Sequence, residues 1–305
     1  MVLTYEGHDI TRYVSIAKCI CRDVSCGRAD SMELVFHHAA AWYQWKPKVD
    51  DTISASLDGF STGKMFLNAI QPEGDKIRMI ATSLPSAARR RTWTAYRKMT
   101  LETIMRRCAA EIGLEAALYG IDGTMRYPFI LRENEGSAAF LDRLGQMEGL
   151  AVKAVNGKMR GISVEYAQGL DAVKTFYIDP DRDKVTHTRQ ENQKYSTLTV
   201  LTPGARVIAQ DSNAAWGNAI TITGLSAMKA VQAGRWARGM LLMHNRQQER
   251  LVMKIPYEPS MCAMQRVDVD GTTDAKGAWI VDEAEQDLID RSTAIKLLRV
   301  ITTIR

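Results

Sequence analysis

The chain has 305 residues, 46% of them apolar and 25% charged, with a formal net charge of +5. That length suffices for two or three hydrophobic cores. No apolar run reaches the roughly 18 residues a membrane span needs, and no basic-then-apolar leader opens the chain, so synthesis and folding in the cytosol are expected.

Residues 1 to 84 read as β-rich. "YVSIAKCICRDV" alternates weakly, and "MELVFHH" and "TISASLDG" are short strand-like runs. "KMFLNAIQPEGDKIRMIATS" places two strand-like runs around Pro72-Glu73-Gly74-Asp75, a hairpin signal. Five cysteines, an odd number, argue against a disulfide framework. Cys19, Cys21 and Cys26 lie close together, but Cys19 and Cys21 are two apart in a strand pattern and no CxxC pair exists. They read as ordinary strand positions rather than zinc ligands.

The character changes after Pro85. "SAARRRTWTAYRK" mixes Arg89, Arg90, Arg91, Arg97 and Lys98 with Trp93 and Tyr96. Such mixtures can bind nucleic acid, yet no recognised nucleic-acid fold surrounds it, so it reads as a solvated connector or subunit contact. Leu101, Ile104, Met105, Cys108 and Ile112 then form a helical stripe, with Thr100 as N-cap, Glu102 at the positive end and Gly113 as the left-handed stop. "MRYPFILRE" follows as an extended segment, leading into a second helix capped by Ser137. Phe140, Leu141, Leu144 and Met147 form its buried face, and Gly149 ends it. "LAVKAV" alternates, and Asn156-Gly157 suits a tight hairpin turn. Cys108 belongs to the core.

From about residue 174 strands return in "KTFYID", "STLTVLTPGARVIAQ" and "NAITITG". A third helix is predicted over 226–247, capped by Ser226, with Ala233, Trp236, Ala237, Met240 and Leu241 on one face. From "RLVMKIPYEP" to "TAIKLLRVITTI" the pattern is β again. Two segments echo each other: "LDGFSTGKMFLNAI" carries Asp58, Gly59, Gly63 and Phe66, and "VDGTTDAKGAWIVDEA" carries Asp270, Gly271, Gly277 and Trp279 in the same order. If the echo is a duplication, the chain holds two similar β-domains. These eight residues mark the candidate assembly-contact segments.

Motif chemistry is sparse. Glu133, Glu135, Asp142 and Glu148 cluster in sequence, but Asp142 and Glu148 are six apart on a helix and point to different sides, unlike the facing carboxylates of a glycosidase. His8, His37, His38, His187 and His244 belong to no HExxH, and no GxSxG, Walker loop or post-strand GxGxxG occurs. Asp268, Asp270 and Asp274 lack the closing Glu and flanking helices of a calcium loop. No catalytic residue, metal or cofactor is therefore expected.

The order "TLETIMRRCAAEIGL" then "ENEGSAAFLDRLGQMEGLAVKAVNGKM" resembles the middle of phage late control D proteins, the baseplate hubs of contractile tails, related to the hub part of VgrG. Phe140, Leu141, Leu144, Gly149 and Leu150 fall on that family's helix-and-hairpin pattern, with Gly145 where Ala is common. "SAMKAVQAGRWARGMLLMHNRQQERLVMKIP" and "GAWIVDEAEQDLIDRSTAIKLLRV" resemble its late helix and final hairpin. Gln286 or a neighbour stands where that hairpin often carries His, so no ligand role transfers.

The resemblance implies an α+β, mainly β fold. It would have a first tube-like β-domain over 1–88, completed by about 166–195, an α/β insert over 89–165, and a second tube-like β-domain over 196–305. It also implies a non-enzymatic homotrimer in a virion or tail-like particle, joining a sixfold inner tube or tube initiator to a threefold spike. Other baseplate proteins and the tape measure would be neighbours, with no membrane partner at rest and nucleic acid at most passing through the lumen. A tail-associated peptidoglycan hydrolase and the hub of a non-contractile tail are the alternatives.

Overall fold

The computed structural model describes residues 1–179, 184–226, 229–271 and 274–305. The fold is α+β and mainly β. The first β-unit runs β1 (Val2–Tyr5), β2 (His8–Asp9), β3 (Ser15–Val24), β4 (Ser31–His37), α1 (Ala39–Trp45), β5 (Thr52–Leu57), β6 (Phe60–Ser61), β7 (Met65–Glu73) and β8 (Lys76–Thr82). Its strands alternate buried and less buried residues, as one-sided strands must. Leu34, Phe36, Ile53, Met65, Leu67 and Met79 fill one core under Trp42 of α1. Cys19 and Cys21 are buried in the same core.

The middle of the chain supplies β9 (Thr92–Thr100), α2 (Leu101–Ala110), β10 (Glu115–Tyr119), β11 (Arg126–Glu135), α3 (Ser137–Glu148), β12 (Leu150–Val155), β13 (Lys158–Ser163) and α4 (Val164–Gly169). Thr100 caps α2 as expected, its hydroxyl accepting from Thr103 N at 3.2 Å. Asn156 and Gly157 both take positive φ in the β12–β13 turn. Ser137 is not the cap of α3. Gly136 holds that position, because a Cβ there would lie 2.3 Å from Ala88 O, and the Ser137 hydroxyl bonds Glu111 instead.

The last part runs β14 (Thr175–Ile178), β15 (Val185–Arg189), β16 (Thr197–Thr202), β17 (Ala205–Gln210), β18 (Ala219–Ile222), α5 (Ala230–Asn245), β19 (Glu249–Pro256), β20 (Arg266–Gly271), β21 (Gly277–Asp287) and β22 (Ser292–Arg299). The third helix therefore begins at Ala230, after Lys229, without a side-chain cap. Of its expected first turn, residues 227–228 lie outside the described residues.

The two β-units share one plan. The first unit orders its strands β3-β4-β8-β7-β5, and the second β15-β19-β22-β21-β20, every neighbour antiparallel. The correspondence holds residue by residue. Arg22, Ser31, Thr82, Phe66 and Thr52 lie opposite one another across the first unit. Thr188, Arg250, Leu298, Ile280 and Arg266 do so across the second. A register shift follows directly after each row, at Leu67/Ala69 and at Val281/Glu283. Trp279 therefore matches Met65, and Phe66 matches Ile280, one position off the sequence echo. The second core gathers Phe176, Leu251, Val267, Trp279, Val281 and Leu297.

The segment around 166–195, expected to complete the first β-domain, pairs elsewhere. Residues 180–183 of it lie outside the described residues, but β14 pairs β20 and β15 pairs β19, both in the second unit. Likewise β16 to β18 and α5, expected within the second β-domain, pack on α2, α3 and β12 in a third, larger core. The physical reason is shared apolar surface. The faces of α3 and α5 cover each other, with Gly239 against the C-terminus of α3. A Cβ at Gly239 would stand 2.2 Å from Met147 O and 2.5 Å from Gly149 N.

Gly239→Ala should thus destabilise the chain by about 1–3 kcal/mol through overpacking. Gly234→Ala, on the same helix with its nearest neighbour at 3.5 Å, should be neutral or stabilising. Urea denaturation of both variants checks this. Equal midpoints would contradict the close crossing.

Candidate assembly surfaces

The two β-units meet edge to edge. Residues Ile20–Val24 of β3 pair antiparallel with Glu283–Asp287 of β21, so both units lie on one continuous sheet path. The expected separate β-domains are in this sense fused, while keeping distinct cores. The joint is a charged ladder. Arg22 Nε lies 2.6 Å from Glu285 Oε2 and Arg28 pairs with Glu283. On the neighbouring strands Glu33 receives Lys18 at 3.0 Å and Arg78 at 2.9 Å.

Asp282 is the polar centre of the joint. Its carbonyl accepts from Ser25 N at 2.8 Å, and its carboxylate takes Ser25 Oγ at 2.6 Å and Lys296 Nζ at 2.7 Å, with Arg246 at 3.9 Å. Burial alone would push this carboxyl up, but Lys296, Ser25 and Arg246 outweigh it and hold the pKa below 3.8.

The residues marked by the sequence echo are also drawn into contacts within the chain. Asp58, in the turn after β5, pairs with Arg291 of the β21–β22 turn at 3.1 Å, and Tyr257 OH donates to Leu57 O at 3.0 Å beside it. Gly59 and Gly63 have φ of 93° and 63°. Gly63 packs on Asn156, where a Cβ would come within 2.8 Å. Phe66 is half-buried under the Lys64 ammonium. Asp270 pairs with Lys276 at 2.8 Å. Gly271 and Gly277 share φ of 128°. Gly271 lies against Ile178 and Gly277 against the Arg299 guanidinium. Trp279 is 0% exposed and donates to Ala275 O at 2.8 Å, so its ring belongs to the core.

Of the four carboxylates weighed for hydrolysis, Glu133 is exposed, and Glu135, Asp142 and Glu148 are engaged structurally. Glu135 is gripped through both oxygens by Arg143, and Asp142 accepts from Gly27 N at 3.0 Å. Glu148 is fully enclosed. It accepts from Trp236 Nε1 at 2.7 Å, Tyr127 OH at 2.9 Å and Arg235 at 3.0 and 3.1 Å. This node ties β11, α3 and α5 together. The basic stretch forms the exposed strand of a two-stranded ribbon, β9 with β11. Trp93 projects from it, Tyr96 stacks inward on Phe140, and Arg89 bonds Asn68 of the first unit at 2.8 Å. Among the described residues no cluster of His, Cys, Asp or Glu is arranged to hold a metal, and no helix is long and apolar enough to cross a membrane.

Two of the strand edges left open among the described residues belong to matching positions of the two β-units. Among the described residues β15 pairs only with β19, and β7 beyond Leu67 pairs only with β8. Sequence reading could not have found these edges. It located the strands, but which flank of each strand is covered depends on pairing between segments far apart in the chain.

No protein-family model and no curated protein matches this chain. Solved structures do. A tail protein from Neisseria meningitidis MC58 superposes with a TM-score of 0.75 at 12% identity, covering 98% of this chain and 95% of that one. The 43 kDa tail protein of prophage MuSo2 from Shewanella oneidensis gives 0.73 at 12% identity, covering 98% and 97%. The E. coli c3393 protein, a type VI secretion component described as similar to T4 bacteriophage tail proteins gp27 and gp5, gives 0.60 at 10% identity, covering 99% and 77%. At these identities the likeness is one of fold, and the fold is that of phage tail proteins.

Two expectations follow. Because the folded pKa of Asp282 lies below its unfolded 3.8, its contribution is complete above about pH 4 and is lost on acidification through the folded value. Asp282→Asn should therefore be less stable than the parent at pH 7, and thermal melts of the two should converge below about pH 4. Glu148→Gln should lower stability by about 3 kcal/mol, since it leaves Arg235 unpaired beside the core. Glu133→Gln, on an exposed side chain, should change denaturant midpoints little.

Proposed function

We propose that this chain is the structural hub of a contractile tail baseplate or a related injection machine. Three copies would present six β-units in a collar, matching a sixfold inner tube on one side and a threefold spike on the other. The observation that carries this reading is the duplicated strand plan. One polypeptide supplies two units of equal topology, already joined edge to edge, and closed rings are how open strand edges become satisfied. The tail-protein fold supports the same reading, as does the structural engagement of Glu135, Asp142 and Glu148, which favours a mechanical role over catalysis. The α/β body, with α2, α3 and α5, would lie outside the collar and face other baseplate proteins. The particle rather than the free cytosol would be its working location, after assembly in the bacterial host.

Mass measurement in solution tests the proposal. Three copies of a 34.1 kDa chain give about 102 kDa. Light scattering across a concentration series, alone and with the expected spike protein, should reveal that mass. A chain that stays monomeric at high concentration and with the spike would overturn the reading.

A further inference from the structure

The joint inside the chain can be used as a template for a joint between chains. In the duplicated plan β15 is the counterpart of β3, and β7 is the counterpart of β21. The first two each end the strand order of their own unit, and the second two carry the shifted register. Within one chain β3 is seated on the far half of β21. The equivalent surfaces, the outer flank of β15 and the far half of β7, both stay open among the described residues.

Their backbone groups point the right way. Gln190 N donates to Gln248 O, so by antiparallel alternation Thr188 and Thr186 also bond β19, while Val185, His187 and Arg189 direct N–H and C=O outward. Cys19 and Cys21, the counterparts of Val185 and His187, face β21 in the same phase, and Leu288 N donates to Cys19 O. On β7 the hairpin pair Glu73·Lys76 sets Gln71 and Glu73 toward β8, leaving Ile70 and Pro72 facing out.

We propose that β15 of one copy pairs antiparallel with residues 69–73 of β7 in the next copy, with Thr188 opposite Gln71, as Arg22 lies opposite Glu285 within the chain. The occupant is a second copy of this chain, and the contact is head-to-tail, the kind that closes rings. The inference rests on the collar reading and names the surfaces that would close it. The joint is weaker than its template in two respects. Pro72 has no N–H to return to His187, and the Arg22–Glu285 ion pair is replaced by two neutral side chains. Pro72 on this flank also discourages indiscriminate strand addition.

Thr188 and Gln71 are both exposed, and would form a non-hydrogen-bonded pair with Cβ atoms about 4.5–5.5 Å apart, close to disulfide reach. The full chain carrying Thr188→Cys and Gln71→Cys, with exposed Cys262 changed to Ser, is oxidised by air with a copper catalyst. Oxygen takes the two electrons and two protons released per disulfide. A covalent ring-sized species, absent from either single variant, is expected. Light scattering on the same samples separates the failures. Rings that form but do not crosslink overturn this joint and leave the collar standing, whereas no self-association overturns both. As an independent arm, Thr188→Arg with Gln71→Glu reproduces the internal ion pair and should lower the dissociation midpoint several-fold. Thr188→Glu with Gln71→Glu should raise it by a similar factor. Unmoved midpoints in both would also overturn the joint.

Discussion

A β-strand is stable at the middle of a sheet only if both of its flanks are satisfied, and β21 is the strand on which that requirement bears hardest here. One flank is covered along most of its length by β22. The other is shared in succession. β20 covers Gly277–Ile280, Gln265 and Met264 bond Val281, and Ser25 and β3 take over from Asp282 to Asp287. The handover falls beside the register shift, where the strand bends and a backbone group could be left without a partner. Asp282 sits there and answers with carbonyl and carboxylate together. The relation between the two β-units is thus set by hydrogen-bond completeness, with the surrounding ion pairs fixing register.

The rest of the chain is arranged around that joint. One excursion separates the two units, and a second, β16 to α5, interrupts the second unit between β15 and β19. Each excursion alone exposes an apolar face, so they cover each other. Trp236 and Leu241 of α5 share a core with Phe140 and Leu144 of α3. This body also reaches back to the joint. Lys153 of β12 contacts Asp23 of β3 and lies 3.5 Å from Asp30, Asp142 holds Gly27, and Arg246 after α5 approaches Asp282. A change in the α/β body would therefore be felt where the units meet, which would give anything bound to that body a physical route to the joint.

What could be read from the sequence was whatever is encoded locally. The stripe from Leu101 to Cys108 became α2 with its Thr100 cap, and Asn156-Gly157 became its turn, because periodicity and turn chemistry act over a few residues. The likeness of the two strand plans left a trace in the echo, though one residue out of phase, since a register shift after Phe66 and after Ile280 leaves no mark in composition. The cap of α3 was misplaced because Gly136 answers to Ala88 O, from a distant part of the chain. Helix α1 went unread because its seven residues are too few to show a period, and it is bounded by left-handed His38 and Lys46 rather than by capping side chains. The β3–β21 joint was illegible for a deeper reason. Edge pairing is made by backbone groups every residue owns, so only the three-dimensional arrangement says who pairs with whom.

The two kinds of joint in the proposed collar differ in a way that orders assembly. The joint within the chain carries Arg22–Glu285 and Arg28–Glu283 and is closed at the high effective concentration of a single polypeptide. The joint between chains has a proline in its ladder and neutral side chains at the matching position. Were the two equal, a β3 edge could capture a neighbour's β21 before its own, and open chains of swapped units would compete with rings. With the strong joint inside and the weak one outside, each chain completes its own pair of units first. Only preformed pairs would then meet, and the weakness of the outer joint would leave closure of the proposed ring sensitive to whatever else binds it.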